Sequence, residues 1–278
     1  MMKHSQIHYK ETCLSFMDIQ GFENMVLNLY PDKPMVIFEI LDEFNRVQYI
    51  CPTNWSSWLP EIVSFSDSIV RGNSRRKLDY SLDTVIINEV QAIRLIQQKL
   101  LTWRPSSVQE SSYGSFGVFL RGGLSVGPAF INQDDNLVFG PSVIEAVKLE
   151  DVESSPFRIV LSPKTVTGHP KAVADLRDER IIAQDSDGLW YVDYLSVNSF
   201  AKYGFWIELE RLREVRDILQ AHISRYAEDK KLFGKYLWAA RKHNESISST
   251  KALHDALLTE GLGMELSRLM VQLGGECS

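Results

Sequence analysis

The chain of 278 residues has no apolar run near the about 20 residues that a membrane-spanning helix needs. Its first residues, MMKHSQIHYKE, lack the apolar core of a signal peptide. Cysteine is scarce: Cys13, Cys51 and Cys277 have neither metal-site nor redox spacing, and an odd count without a framework fits a reducing compartment. A soluble, cytoplasmic protein is therefore expected, with no membrane partner. A net charge of −6 supplies no global pull towards nucleic acid, so none is expected as partner. Several site motifs are missing as well. There is no GxxxxGK[ST] phosphate loop, no GxGxxG after a strand, no GxSxG elbow and no His/Cys cluster with zinc spacing. His4 and His8 stand at helical spacing without Cys or acidic partners and read as part of a solvated terminus. No internal repeat or low-complexity segment occurs.

What is present starts with CLSFMDIQGF, Cys13–Phe22. Cys13 to Met17 read as a buried strand, Asp18 interrupts the run, and Gly21 permits a tight turn and close approach to a ligand. Phe22–Tyr30 is predicted helical up to Pro31, and Met35–Val47 carries the helical stripe Val36, Ile37, Ile40, Leu41, Phe44. Residues 51–60 form a turn-rich connection. Ile62–Val70, IVSFSDSIV, reads as a tight hairpin turning at Ser66-Asp67. Arg71–Lys77 is a short basic segment, expected as a solvated loop.

Leu78–Trp103 holds the longest helical pattern of the first half, followed by a polar loop, Ser106–Ser115. Phe116–Val126 reads as a strand carrying Arg121-Gly122-Gly123, with a continuation at Ala129–Ile131. Pro141 opens a helix expected to reach about Glu153. Phe157–Leu161 is a strand, and Ser162-Pro163 opens a short helix. Asp187-Gly188 marks a hairpin between Arg180–Ala183 and Leu189–Val192. Beyond Ser199 the pattern is helical: Ile207–Tyr226, Lys231–His243, Leu253–Leu273. The order implies an α+β sandwich, helices against a mostly antiparallel sheet, ferredoxin-like in its first half. The expected domains are 12–198 and a helical C-terminal extension, 199–278.

A carboxylate at the mouth of a buried strand needs a cation or a donor. If the Cys13–Met17 strand and the Ile62–Val70 hairpin are neighbours, Asp18 and Asp67 lie side by side. Two hard carboxylates without His or Cys suit one or two magnesium ions. Either Asp alone is more often a helix cap or turn former, and it is the pair that points to a metal. Arg121 and Lys148 complete the chemistry-bearing set; a surface salt bridge and an exposed helix residue are their plain readings.

The motifs F-x-D-I-x-G-F (Phe16–Phe22), S-D-S (Ser66–Ser68), L-R-G-G-x-S-x-G (Leu120–Gly127) and F-G-P-x-x-x-E-A-x-x-L-E (Phe139–Glu150) occur in this order. Together they resemble the class III nucleotidyl cyclase catalytic domain, and Asp187–Tyr194 fits the same pattern. The spellings SDS, RGG and FGP followed by EA are nearest those of the Pycsar uridylate cyclases of bacterial antiphage defence. The resemblance covers about residues 12–195.

It implies that Asp18 and Asp67, with the Ile19 carbonyl, hold two divalent cations, Mg2+ or Mn2+. It implies phosphate cradled by the amides of Gln20, Gly21, Phe22 and Glu23, phosphate contact by Arg121, and transition-state stabilisation by Lys148, which stands at the family's Arg position. Val63 and Leu137 fall at the two base-reading positions, and both are apolar where purine cyclases are polar. Ile144 replaces the family's usual Asn. The implied activity is UTP to 3′,5′-cyclic UMP and pyrophosphate, in a homodimer, with a separate effector that responds to the cyclic nucleotide. The alternatives are a purine (adenylate or guanylate) cyclase, or an inactive cyclase-like protein that binds a nucleotide or partner.

Overall fold

The computed structural model describes residues 7–50, 59–74, 80–108, 116–150, 156–196, 205–256 and 270–272. By internal contacts the chain divides into two compact units, 1–100 with 119–194, and 101–118 with 195–278.

The first unit is built on an eight-stranded sheet. Its strands are β1 (Lys10–Ile19), β2 (Glu61–Phe65), β3 (Ser68–Ser74), β4 (Leu120–Asn132), β5 (Leu137–Phe139), β6 (Ile159–Leu161), β7 (Ile182–Gln184) and β8 (Trp190–Val192). They lie in the order β2-β3-β1-β4-β6-β8-β7, with β5 paired to β4. Every pairing is antiparallel except β4 with β6. The expected α+β class, helices against a mostly antiparallel sheet, is thus what the chain forms.

Both predicted hairpins are present. Ser66-Asp67 joins β2 to β3, with Ser66 at φ 55°, and Gly188 at φ 83° turns β7 into β8. β1 is longer than expected and takes in Lys10 and Glu11. The helix after it is α1 (Phe22–Asn24), which loosens into a π-helical stretch, Met25–Leu29, closed by Tyr30 N–H donating to Met25 O at 2.8 Å. Next come α2 (Pro34–Val47), α3 (Leu82–Thr102) and α4 (Pro141–Glu150). In α5 (Pro163–Gly168), the Ser162 hydroxyl caps the Thr165 amide at 3.1 Å. The sequence reading missed α6 (Pro170–Asp178), which Pro170 opens two residues after α5 ends.

The two faces of β1 are put to different use, because successive side chains alternate. On one face Ser15 and its cross-strand partner Arg71 meet Glu89 of α3. Arg71 grips Glu89 with Nε at 2.9 Å and Nη2 at 3.1 Å, Ser15 and Asn73 donate to the same carboxylate, and Arg71 Nη1 donates to the Gln48 carbonyl after α2. Arg71 and Glu89 are both fully buried. This corrects the solvated loop expected from Arg71: the residue is in β3, and residues 75–79 lie outside the described residues. The same burial, with Glu89 nearby, pushes the Cys13 thiol up and leaves it inert.

On the other face Leu14, Val63, Val70, Ala129 and Ile131 pack against Ala146 of α4. The helix comes close because β4 has no side chain at Gly123: a Cβ there would stand 2.4 Å from the Ala146 carbonyl. At Gly122, φ 158°, it would stand 1.9 Å from the Phe16 carbonyl. The two glycines of the RGG motif are thus a packing requirement of this sheet.

In the second unit, α7 (Phe205–Arg225) and α8 (Lys230–Ala256) form an antiparallel pair. Leu212, Val215, Ile218 and Leu219 are buried on α7, and Ala239, Ala240 and Ile247 on α8. α8 runs unbroken through residues 244–252, where the sequence pattern gave a gap between two helices; residues 257–269 lie outside the described residues. His222, Tyr226 and Tyr236 stack in parallel, with His222 4.4 Å from Tyr236 between centroids. Burial pushes the His222 imidazole down to about 3 and the Tyr236 phenol up.

Two stability experiments follow from these clusters. Glu89→Gln leaves the Arg71 charge buried without its counter-ion and is expected to lower unfolding free energy by about 3–5 kcal/mol in urea titration; a loss below about 1 kcal/mol would show the pair to be dispensable. His222 is held neutral when folded but gains a proton when unfolded below its ordinary value. Stability of the helical pair is therefore expected to be full above about pH 6.5 and to drain away as pH falls towards 3. In His222→Phe that slope, followed by circular dichroism, is expected to flatten.

Candidate active site

Asp18 is the next-to-last residue of β1, the central strand of the three that matter here. Its cross-strand partners are Ser68 of β3 on one side and Arg121 of β4 on the other. Partners in an antiparallel ladder project from the same face. Ser68, Asp18 and Arg121 therefore form one row on the face that carries α4, and Phe65 of β2, exposed, extends that row beyond Ser68. Ser68 Oγ donates to Asp18 Oδ1 at 2.8 Å, and Arg121 Nε donates to Oδ2 at 3.0 Å. Arg121 Nη2 also stands 2.6 Å from Glu150 Oε1, at the last residue of α4, in an ion pair that lacks the alignment of a hydrogen bond. Asp67 sits half-buried in the β2–β3 turn, and its carbonyl accepts from the Ile19 amide at 3.0 Å. The two aspartates are thus neighbours, as the sequence reading required.

Burial pushes the Asp18 carboxyl above its ordinary value. Hydrogen bonds from Ser68 and Arg121 and the guanidinium charge pull the other way, and the nearby Asp67 charge adds to the rise. Burial is the largest of these effects, so Asp18 is a carboxylate held at a cost.

The other sequence-derived positions differ in placement. Gly21, at φ 75°, makes the turn from β1 into α1 with Gln20 and Phe22 half-buried around it. The Gln20 amide donates to the Phe119 carbonyl at 2.9 Å, so it is committed to the sheet and not to a phosphate cradle. Val63 is fully buried in the α4-side core, where its side chain touches nothing outside the fold; this departs from a base-facing role. Leu137 is half-exposed on β5. The β4–β5 turn that precedes it is tied to β2 by Asn136 Nδ2 donating to Ser64 O at 3.3 Å and Gln133 Oε1 accepting from Ile62 N at 3.1 Å. Lys148 shares the exposed side of α4 with Ile144 and Val147, opposite the side that buries Ser142, Ala146 and Glu150.

Glu150 and Ser68 are site neighbours to which the sequence reading gave no role. Glu150 had a legible signal. It shares a helical face with Ser142 and Ala146, and a carboxylate on an inward face needs a cation.

Among the described residues, no three or more of His, Cys, Asp and Glu are arranged as a metal cage. Magnesium is commonly held by one or two carboxylates with substrate phosphates supplying the rest, and Asp18 with Asp67 fits that donor set. No described helix is long and apolar enough to cross a membrane.

Compared with protein-family models, the chain matches none, and no curated protein sequence matches it. Among solved structures it is similar to the adenylyl cyclase CyaB from P. aeruginosa, at 15% identity over 66% of this chain and 94% of that one, TM-score 0.42. Two structures of a bacterial light-regulated adenylyl cyclase are similar at 14% and 13% identity, over 79% and 78% of this chain and 60% of theirs, TM-scores 0.43 and 0.37. Likeness at this level assigns no activity, which rests on the residues.

Asp18's raised value sets a direction for its effect on stability. The folded state holds the proton more tightly than the unfolded chain, so the penalty is absent in acid and grows as pH rises through the folded value. Asp18→Asn is expected to melt like wild type in acid and at a higher temperature at neutral pH, by scanning calorimetry. A lower neutral-pH midpoint would mean that the Arg121 ion pair outweighs burial.

Proposed function

We propose that the protein is a nucleotidyl cyclase that converts UTP to 3′,5′-cyclic UMP and pyrophosphate. One observation carries this reading: residues from three separate motif stretches, Asp18, Asp67 with Ser68, and Arg121, meet at one end of the sheet. Those stretches are the ones that resemble class III cyclases.

The reaction needs little covalent chemistry from protein. The ribose 3′-oxygen forms a bond to the α-phosphorus, the bond from that phosphorus to pyrophosphate breaks, and the 3′-hydroxyl proton leaves to solvent. Mg2+ or Mn2+, held by Asp18, Asp67 and the Ile19 carbonyl, would supply acidification of the 3′-hydroxyl and charge stabilisation on the triphosphate. Arg121 brings a guanidinium to the same place, suited to phosphate oxygens. Ser68 fixes the Asp18 carboxylate by a hydrogen bond, so that its second oxygen has a defined direction. Lys148 stands exposed on α4, where it would act across the face of a second copy; a homodimer with two equivalent sites is part of the proposal. A role in antiphage defence through a separate effector goes with the uridylate-type spellings.

The base preference rests on those spellings and on exposed, apolar Leu137. Burial of Val63 removes one ground for preferring a pyrimidine, which leaves a purine cyclase as the second reading.

Incubating the purified protein with Mn2+ and each of the four ribonucleoside triphosphates decides between them. Cyclic UMP is the expected major product, with CTP the strongest competitor. Preferential cyclic AMP or cyclic GMP establishes the purine reading, and no product from any of the four makes the fold a binding module. Asp18→Asn and Asp67→Asn are each expected to lower turnover by at least about 100-fold with a native circular dichroism spectrum. Near-wild-type activity in either would remove the metal assignment.

A further inference from the structure

Arg121 does not close its fork on one carboxylate. The Nε and Nη2 edge of a guanidinium fits both oxygens of a single carboxylate, and that side-on pairing is its strongest mode. Here the edge is divided, Nε to Asp18 and Nη2 to Glu150. Asp18 consequently receives one bond from Arg121 where it could receive two. Nη1 is engaged by neither carboxylate, and the Arg121 side chain is 28% exposed while each carboxylate partner is 11% exposed. Arg121 is the most open member of a largely covered triad.

We infer that Glu150 is a positioning residue: it holds Arg121 back from a full grip on Asp18, so that a divalent cation can take Arg121's place on Asp18. With Asp18, Asp67 and Glu150 at one end of the sheet and Arg121 as their counter-ion, the arriving cation neutralises the two aspartates. Arg121, still tethered through Nη2 to Glu150, turns its remaining nitrogens outward to a ligand phosphate. The exchange relocates one charge by less than the length of its own side chain and leaves none unpaired. Without Glu150, both donors of the Nε/Nη2 edge fall to Asp18, and the cation then competes with a bidentate pair. The inference rests on the metal-dependent reading above for its purpose, but its test uses no turnover.

The test is Mn2+ binding to the nucleotide-free full-length protein, followed by the electron paramagnetic resonance signal of free Mn2+. Arg121→Met removes the competitor and is expected to tighten Mn2+ by about tenfold, the scale on which a neighbouring charge acts on a carboxylate. Glu150→Gln is expected to weaken it several-fold, and Glu150→Asp as well, because the shortened side chain keeps the charge but withdraws it from Nη2. In the Arg121→Met background Glu150→Gln is expected to lose most of its effect, since its influence runs through Arg121. Far-UV circular dichroism checks that each variant is folded, and Asp18→Asn supplies the site-dead control.

An Arg121→Met protein that binds Mn2+ no more tightly than wild type overturns the inference. So does a Glu150→Gln effect of equal size in both backgrounds, which would make Glu150 a direct ligand. Absence of Asp18-dependent Mn2+ binding in every variant overturns it too. Cyclisation by the wild type is scored separately, so the inference and the cyclase reading fail by different observations.

Discussion

The register of β1 against β3 and β4 is the constraint on which everything at the site depends. Slipping β1 by one residue against either neighbour would turn Asp18 to the other face and bring Ile19 or Met17 opposite Ser68 and Arg121. The buried Arg71–Glu89 pair guards against that slip. Ser15 and Arg71 are cross-strand partners, and both bond to the same Glu89 carboxylate on α3. Of the donors to Glu89, Arg71 and Asn73 stand on β3 and Ser15 on β1, so a slip of β1 against β3 would draw the Ser15 hydroxyl away from a fully buried carboxylate, a loss that a slip among interchangeable apolar residues does not incur. The polar cluster on one face thus supports the β1–β3 pairing that sets Asp18 beside Ser68 on the other.

The second requirement is closeness. Glu150 reaches Arg121 only because α4 lies against β4, and α4 lies there because Gly123 leaves room for the Ala146 carbonyl. The motif L-R-G-G therefore joins the Arg121 guanidinium to the glycine that lets its partner's helix approach. A motif of this kind reads as ligand-binding from sequence, though half of it is backbone clearance.

Legibility from sequence followed how local the determining interaction was. The β2–β3 and β7–β8 hairpins were readable because their turns are written in neighbouring residues, Ser66-Asp67 in the first and Asp185 to Gly188 in the second, where the Gly188 amide donates to the Asp185 carbonyl. The nearness of Asp18 and Asp67 was readable because one strand pairing sufficed. Arg71 was not: its environment depends on Glu89, 18 residues away in another element, and a run of basic residues looks solvated until its counter-ion is found. Val63 illustrates the reverse error. An apolar residue at a position known for reading bases was treated as pocket lining, while its place in the row Val63–Val70–Phe16 puts it under α4. The continuity of α8 was hidden because residues 244–252, rich in Asn, Ser and Thr, have no strong stripe of their own; tertiary packing carries the helix through.

The same chemistry, an arginine against a carboxylate, serves two ends on the two faces of β1, and the difference lies in closure. Arg71 and Glu89 are completely covered, joined through both edge nitrogens, and supplemented by Ser15, Asn73 and the Gln48 carbonyl. Every group has its partner, so any ligand entering would break more bonds than it makes. Arg121 divides its edge between two carboxylates, keeps Nη1 outside both, and stays partly open to solvent. In the proposed exchange, a cation at Asp18 would displace one bond and gain a buried carboxylate already carrying a desolvation penalty. The first cluster is closed on itself, and the second has the open form that the proposed exchange requires. That contrast separates scaffold from site more sharply than charge or burial taken alone.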